Sequence, residues 1–90
     1  MKLITSAQNE QLKHLSKLLT QSKARREYGQ TVLEGVHLLQ VYLEAGYTPK
    51  QVYLPESKNT HPEIRNLISS LDEDGITWVG NEALSKITSL

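Results

Sequence analysis

The first apolar positions of the chain recur at the spacing of an α-helix. Asn9 is a residue type that caps helix N-termini, while Lys13 and Lys17 fall on the face opposite the apolar positions. The apolar face consists of four leucines: Leu12, Leu15, Leu18 and Leu19. We therefore predict a helix that starts after Asn9, packs through its leucines and exposes its lysines.

Three later segments are short β-branched and aliphatic runs bounded by turn residues, a pattern typical of strands. They are residues 31–33, 51–54 and 76–79. Helical patterns alternate with them: residues 36–45, a segment that opens with Thr60 and Pro62, and a short segment after Asn81. The predicted order is α, β, α, β, α, β, α. This alternation predicts a small three-layer α/β sandwich, with a mostly parallel sheet and helices on both faces.

The segment 36–45 is apolar around most of its circumference. Its polar residues, His37, Gln40 and Glu44, form one narrow stripe, and a helix of this composition is usually covered on more than one side. We predict that it is the crossover of a parallel βαβ unit joining strands 31–33 and 51–54. Its remaining apolar surface would pack against a neighbouring helix or a partner.

The composition is that of a single folded domain spanning residues 1–90. Hydrophobic residues make up 38% and charged residues 22% of the chain, which are ordinary globular values. The chain has no cysteine, so disulfides and thiolate sites are excluded. No apolar run approaches the roughly 20 residues that span a bilayer. We expect a soluble, cytoplasmic domain without a membrane segment.

The zero net charge hides an uneven distribution. Residues 1–30 contain six Lys or Arg against two Glu, whereas residues 31–90 contain four Lys or Arg against eight Asp or Glu. The chain is therefore a basic N-terminal arm followed by an acidic body. A basic region of this kind favours a polyanionic partner.

No constellation of catalytic or metal-binding residues is recognisable. His14, His37 and His61 lie on three predicted elements without ligand spacing, and we interpret His14 as a surface residue of the first helix. The glycines form neither GxGxxG nor GxxxxGK[ST], and no GxSxG motif is present. These absences favour a binding module over an enzyme and predict no metal site in this chain.

The segment Ser22–Tyr28 carries the side chains suited to phosphate recognition. Arg25 and Arg26 offer planar guanidinium groups that pair with phosphate, and Lys23 adds a diffuse positive charge. Tyr28 follows closely, and an aromatic face near cations can stack an unpaired base. Two other interpretations stay open: the cations can be the solvated end of a helix, and Tyr28 can be a cover on the core.

The ordered motifs resemble a known family. They are Ile4-Thr-Ser-Ala-Gln-Asn9, Leu12-Lys13, Leu18-Leu19, Ser22-Lys-Ala-Arg-Arg26 and Val32-Leu-Glu-Gly35 followed by Leu38-Leu39. The combination resembles the N-terminal substrate-binding domain of the SpoU-type (TrmH-like, SPOUT superfamily) RNA 2′-O-ribose methyltransferases. Glu10 and Thr31 depart from the family pattern, which often has proline and an aromatic residue at those positions.

The resemblance implies a fold similar to the small ribosomal proteins that bind RNA kink-turns. It also implies that a knotted catalytic domain, which holds S-adenosylmethionine and the catalytic residues, follows residue 90. We expect this chain to be a fragment that lacks that domain and so has no catalytic or cofactor-binding residue of its own. Its expected partners are structured RNA, ribosomal RNA in preference to transfer RNA, and its own catalytic domain.

The resemblance completes the set of candidate RNA contacts. Lys13, Lys17, Lys23, Arg25 and Arg26 would face phosphate, with Tyr28 beside them. In the kink-turn proteins a strand-to-helix turn contacts RNA, which by analogy adds Gly35 and His37. The alternative is a protein-interaction module in which the apolar helix 36–45 docks on the catalytic domain or another subunit, without direct RNA contact.

Overall fold

The computed structural model describes residues 2–87, which contain three strands and five α-helices. The strands are β1 (Leu3–Ile4), β2 (Val52–Pro55) and β3 (Ile76–Val79). The helices are α1 (Glu10–Thr20), α2 (Ser22–Tyr28), α3 (Val36–Glu44), α4 (Pro62–Ile68) and α5 (Asn81–Ile87). Single 3-10 turns occupy Glu56–Lys58 and Glu73–Gly75.

The three strands form one parallel sheet in the order β1-β3-β2. Leu3 lies opposite Trp78, and Val52 lies opposite Ile76. The chain leaves β2, passes through α4 and returns as the neighbouring parallel strand β3, which is a βαβ unit. The predicted α/β sandwich with a parallel sheet is confirmed.

The predicted strand at residues 31–33 is wrong, because these residues form no strand. The crossover predicted through residues 36–45 is therefore wrong as well. The edge of the sheet is completed by β1 instead, where the Trp78 amide donates to the Lys2 carbonyl (2.8 Å) and the Gly80 amide to the Ile4 carbonyl (2.9 Å). A two-residue strand is too short to show the alternation from which strands are predicted.

Side chains from the two faces of the sheet form two hydrophobic clusters. On one face, α1 and α5 cover a cluster of Ile4, Leu12, Val79, Ala83 and Ile87. On the other, α4 and part of α3 cover a cluster of Val52, Leu54, Ile64, Ile76 and Trp78. Successive strand residues point to opposite faces, so the parallel sheet is buried on both sides and the three layers are α1/α5, sheet and α3/α4.

The segment Ser22–Tyr28, in which helical periodicity fades, is a helix. It is separated from α1 by the extended residue Gln21 (φ −127°, ψ 111°) and ends at Gly29 with a left-handed backbone (φ 63°). Its Lys, Arg, Glu and Ala residues are good helix formers. Ala24 is its one buried residue, so the pattern of apolar residues does not reveal it.

Two other helix ends lie close to the ends of their predicted segments. Gly46, which follows the predicted helix of residues 36–45, has φ 92° and comes directly after Ala45, the C-terminal capping residue of α3. The segment that opens with Thr60 and Pro62 forms α4. Its N-terminal cap is His61, whose Nδ1 accepts a hydrogen bond from the Glu63 amide (3.2 Å), and Pro62 occupies the first helical position.

We predict that Leu12→Ala strongly destabilises the fold. Leu12 is fully buried between α1 and the sheet, and deletions of this kind cost about 2–5 kcal/mol through lost burial and the cavity that remains. Urea unfolding followed by the fluorescence of the buried Trp78 measures the loss. The control Leu38→Ala, at a half-exposed position, should cost less than about 1 kcal/mol; equal losses in both variants would contradict the assigned core.

Candidate nucleic-acid interface

The helix α1 presents two lysines on the side facing away from the core. Lys13 and Lys17 are one helical turn apart and exposed, whereas Leu12 and Leu18 of the same helix are buried. Lys13 lies 3.8 Å from the carboxylate of Glu10. This ion pair is solvent-exposed and therefore weak, so it does not prevent Lys13 from meeting a stronger anion such as phosphate.

The helix α2 adds a second pair of exposed cations, Lys23 and Arg26. They are three residues apart and so are neighbours on the helix surface. Arg26 is two residues from the buried Ala24, which places it about 200° around the helix from the buried side. These four side chains, Lys13, Lys17, Lys23 and Arg26, are called the exposed cations below.

Arg25 differs from the exposed cations because it also has a structural contact. It is half-buried, and its Nη1 donates a hydrogen bond of 2.6 Å to the carbonyl of Leu18 in the last turn of α1. Carbonyls in the last turn of a helix lack intrahelical partners, so this bond satisfies one of them and ties α2 to α1. Contact between the remaining Arg25 donors and RNA stays a prediction.

Tyr28 does not cover the hydrophobic core. Its side chain is 50% exposed, and its ring meets that of His14 in a perpendicular contact, with the centroids 4.7 Å apart and an interplanar angle of 84°. His14 Nε2 is in turn 2.9 Å from Oε1 of Gln30. His14, interpreted as a surface residue of the first helix, is half-buried and has these contacts at the junction of α1 and α2.

Gly35 and His37 belong to the start of α3 and not to the basic helices. Gly35 precedes α3 with φ 102° and ψ 149°, and His37 is exposed in the first turn. Because residues 31–33 are not a strand, Gly35 does not occupy a strand-to-helix turn, and the positional analogy that selected it is wrong. Among residues 2–87, no hydrogen bond or ion pair joins either residue to the exposed cations. Contact of Gly35 and His37 with RNA stays a prediction.

The sequence did not indicate two residues that the structure places at this surface, His14 and Gln30. They are far apart in the chain and meet only because α2 packs back against α1. Within residues 2–87, no three His, Asp or Glu side chains are grouped so that they could hold a metal ion. No helix in that range combines the length and apolarity needed to cross a bilayer.

Comparison with known families identifies the kind of domain to which these helices belong. The family model of the MRM3-like substrate binding domain matches residues 9–90. The chain belongs to this family. The match covers α1, α2 and all the candidate contact residues, and it confirms the coarser part of the resemblance, a substrate-binding domain of an RNA methyltransferase. No curated protein and no solved structure matches the chain significantly.

We predict that Arg25→Ala destabilises this domain although Arg26→Ala does not. Arg25→Ala removes the bond to the Leu18 carbonyl, and loss of a hydrogen bond from a charged group costs about 1.5–3 kcal/mol. Arg26 is exposed, and its removal should change the free energy of unfolding by less than about 0.5 kcal/mol. Urea denaturation compares the two variants; an undiminished stability of Arg25→Ala would show that the contact does not hold α2.

Proposed function

We propose that this domain binds structured RNA through the exposed cations of α1 and α2 and presents it to the catalytic domain of a methyltransferase. The observation that carries the proposal is the placement of Lys13, Lys17, Lys23 and Arg26 in solvent on two packed helices. Membership of a substrate-binding family supplies the reason to assign these cations a substrate.

The charges of this region are suited to a phosphate backbone. Residues 10–28 contain five Lys or Arg and two Glu, and one of the two, Glu10, is already close to Lys13. Contacts between phosphate and Lys or Arg supply most of the sequence-independent affinity of nucleic-acid-binding proteins. Two cation pairs on neighbouring helices can therefore hold an RNA backbone and fix its orientation.

The finer assignments extend this proposal. We propose that the parent protein is a SpoU-type, TrmH-like 2′-O-ribose methyltransferase and that its catalytic domain binds S-adenosylmethionine. In this proposal the protein acts in the cytoplasm, its substrate is ribosomal rather than transfer RNA, and the present domain recognises RNA without performing chemistry. The ordered combination of sequence motifs that resembles the SpoU family supports these assignments.

We predict that the double variant Lys23→Ala/Arg26→Ala binds a folded ribosomal RNA hairpin more weakly and with a smaller salt dependence. Loss of two phosphate contacts should lower the slope of log K against log salt by about 1.4–1.8, because each contact contributes roughly 0.7–0.9. Fluorescence anisotropy across a salt series measures both quantities. Arg25 is left intact so that the packing of α2 on α1 is preserved.

The matched control is Lys50→Ala/Lys58→Ala, which removes the same charge from two exposed lysines outside α1 and α2. This control should bind the hairpin with nearly the wild-type slope. If both double variants lost the same affinity and slope, net charge rather than the α1–α2 surface would determine binding. If wild type and both variants bound identically, the exposed cations would have no part in RNA recognition.

A second candidate function is docking of the apolar surface of α3 on the catalytic domain of the same protein. The helix has no fully buried residue, and Leu38 and Val41 are each 49% exposed at positions three residues apart, on one face. Val36 and Leu39 pack partly against the sheet cluster. The helix therefore has an inner side on the core and an outer apolar side open to a partner. A substrate-binding domain needs a fixed position relative to its catalytic domain, which favours that occupant.

We predict that Leu38→Ser/Val41→Ser weakens association with the separately produced catalytic domain, because it removes apolar surface that would be buried in the contact. The control His37→Ser/Glu44→Ser alters two exposed polar residues of the same helix and should leave association unchanged. Isothermal titration calorimetry measures both. No difference between the two variants would exclude this face of α3 as the docking surface.

A further inference from the structure

Three side chains from separate parts of the chain meet at the junction of α1 and α2. His14 comes from α1, Tyr28 from the last turn of α2 and Gln30 from the residue after the terminating glycine. The backbone fixes this arrangement: Gly29 adopts φ 63°, which favours glycine, and the Gln30 amide donates to the Arg25 carbonyl (3.1 Å). The side chain of Gln30 is thereby directed to His14 on the neighbouring helix.

The contacts orient the Tyr28 ring and leave it accessible. A perpendicular contact with His14 at 4.7 Å occupies at most one face of the tyrosine ring, and half of the side chain is exposed to solvent. His14 is itself held by its 2.9 Å hydrogen bond to Gln30. An exposed tyrosine would otherwise sample several rotamers, whereas the contact with the His14 ring holds Tyr28 in one orientation.

Each of the two rings has a cation about one helical turn away on its own helix. Lys17 is three residues from His14 and Arg25 three residues from Tyr28, so each cation is a neighbour of one ring. A flat aromatic face near groups that can bind phosphate is the arrangement by which proteins hold a splayed-out nucleotide. The faces of bases within a continuous A-form helix are covered by their neighbours and cannot stack on a side chain.

We infer that an unpaired base of the RNA stacks on Tyr28, with His14 and Gln30 as positioning residues that hold the ring. The inference rests on the proposed RNA-binding function and specifies the substrate further as RNA with a loop or bulge. Tyr28 supplies the stacking surface, His14 fixes its orientation, Gln30 fixes His14, and the neighbouring cations hold the adjacent phosphates.

The test uses two RNA probes with the complete 90-residue chain. One is a hairpin carrying 2-aminopurine in its loop, and the other is a blunt duplex with the same number of phosphates. The chain should prefer the hairpin and quench the 2-aminopurine fluorescence, since stacking on an aromatic ring quenches this base. Tyr28→Ala should weaken hairpin binding about 5- to 150-fold, the range expected for loss of one stacked base, and leave duplex binding unchanged.

Further variants separate stacking from folding. Tyr28→Phe should retain the quenching, and Tyr28→Leu, which keeps an apolar side chain without an aromatic face, should lose it. Tyr47→Ala is the matched control, because Tyr47 is a 62% exposed tyrosine that stacks on Tyr42 in another part of the fold. Tyr47→Ala should bind both probes with the wild-type affinity and quench 2-aminopurine as the wild type does. His14→Ala should reduce quenching, and His14→Phe, which restores a ring at that position, should recover it.

The outcomes distinguish this inference from the function on which it rests. Equal affinity for hairpin and duplex without quenching would overturn the inference and leave RNA binding by the exposed cations intact. Failure to bind either probe at low salt would contradict the proposed function and the inference together. Quenching at the wild-type level by Tyr28→Leu would show that the base does not stack on Tyr28. Quenching at the wild-type level by His14→Ala would show that His14 does not position the Tyr28 ring.

Discussion

The central strand β3 is the element on which the rest of the structure depends. It is hydrogen-bonded to β1 on one edge and β2 on the other, and all four of its residues are buried. Thr77, its one polar side chain, is fully buried and receives a hydrogen bond from Nε2 of Gln51 (2.8 Å). Because this buried hydroxyl has a hydrogen-bond partner, it avoids the free-energy cost of burying an unpaired polar group. The strand thus gives both helix layers a fixed platform.

The basic helices are attached to this platform in two steps. Leu12 anchors α1 on the sheet, and Arg25 and Tyr28 then attach α2 to α1 through Leu18 and His14. The charged residues of α2 therefore have two different tasks. Arg25 uses one donor to hold the helix in place, whereas Lys23 and Arg26 are exposed and free for a ligand. This division explains how a helix with a single buried residue can keep a defined position and still present its charges.

The layer architecture could be predicted from the sequence because it depends on local patterns. The leucine spacing of α1 and the apolar run of β3 are both visible along the chain. The edge strand could not be predicted, since Leu3 and Ile4 become a strand only by pairing with residues more than 70 positions away. Likewise, the His14–Tyr28 contact depends on the packing of α2, and α2 lacks the apolar periodicity from which a helix is predicted. Both the edge strand and the His14–Tyr28 contact depend on contacts between residues that are not neighbours in the sequence.

The central claim is that the α1–α2 surface, rather than α3, meets RNA. The most direct measurement is a map of backbone amide shifts in the ¹⁵N-labelled chain as a hairpin RNA is added. Our account predicts that the largest chemical-shift changes fall on residues 10–30, in fast or intermediate exchange. These changes should become smaller as the salt concentration rises, because the affinity for RNA falls. Changes concentrated on residues 36–44, with α1 and α2 unaffected, would contradict it and identify the apolar helix as the contact surface.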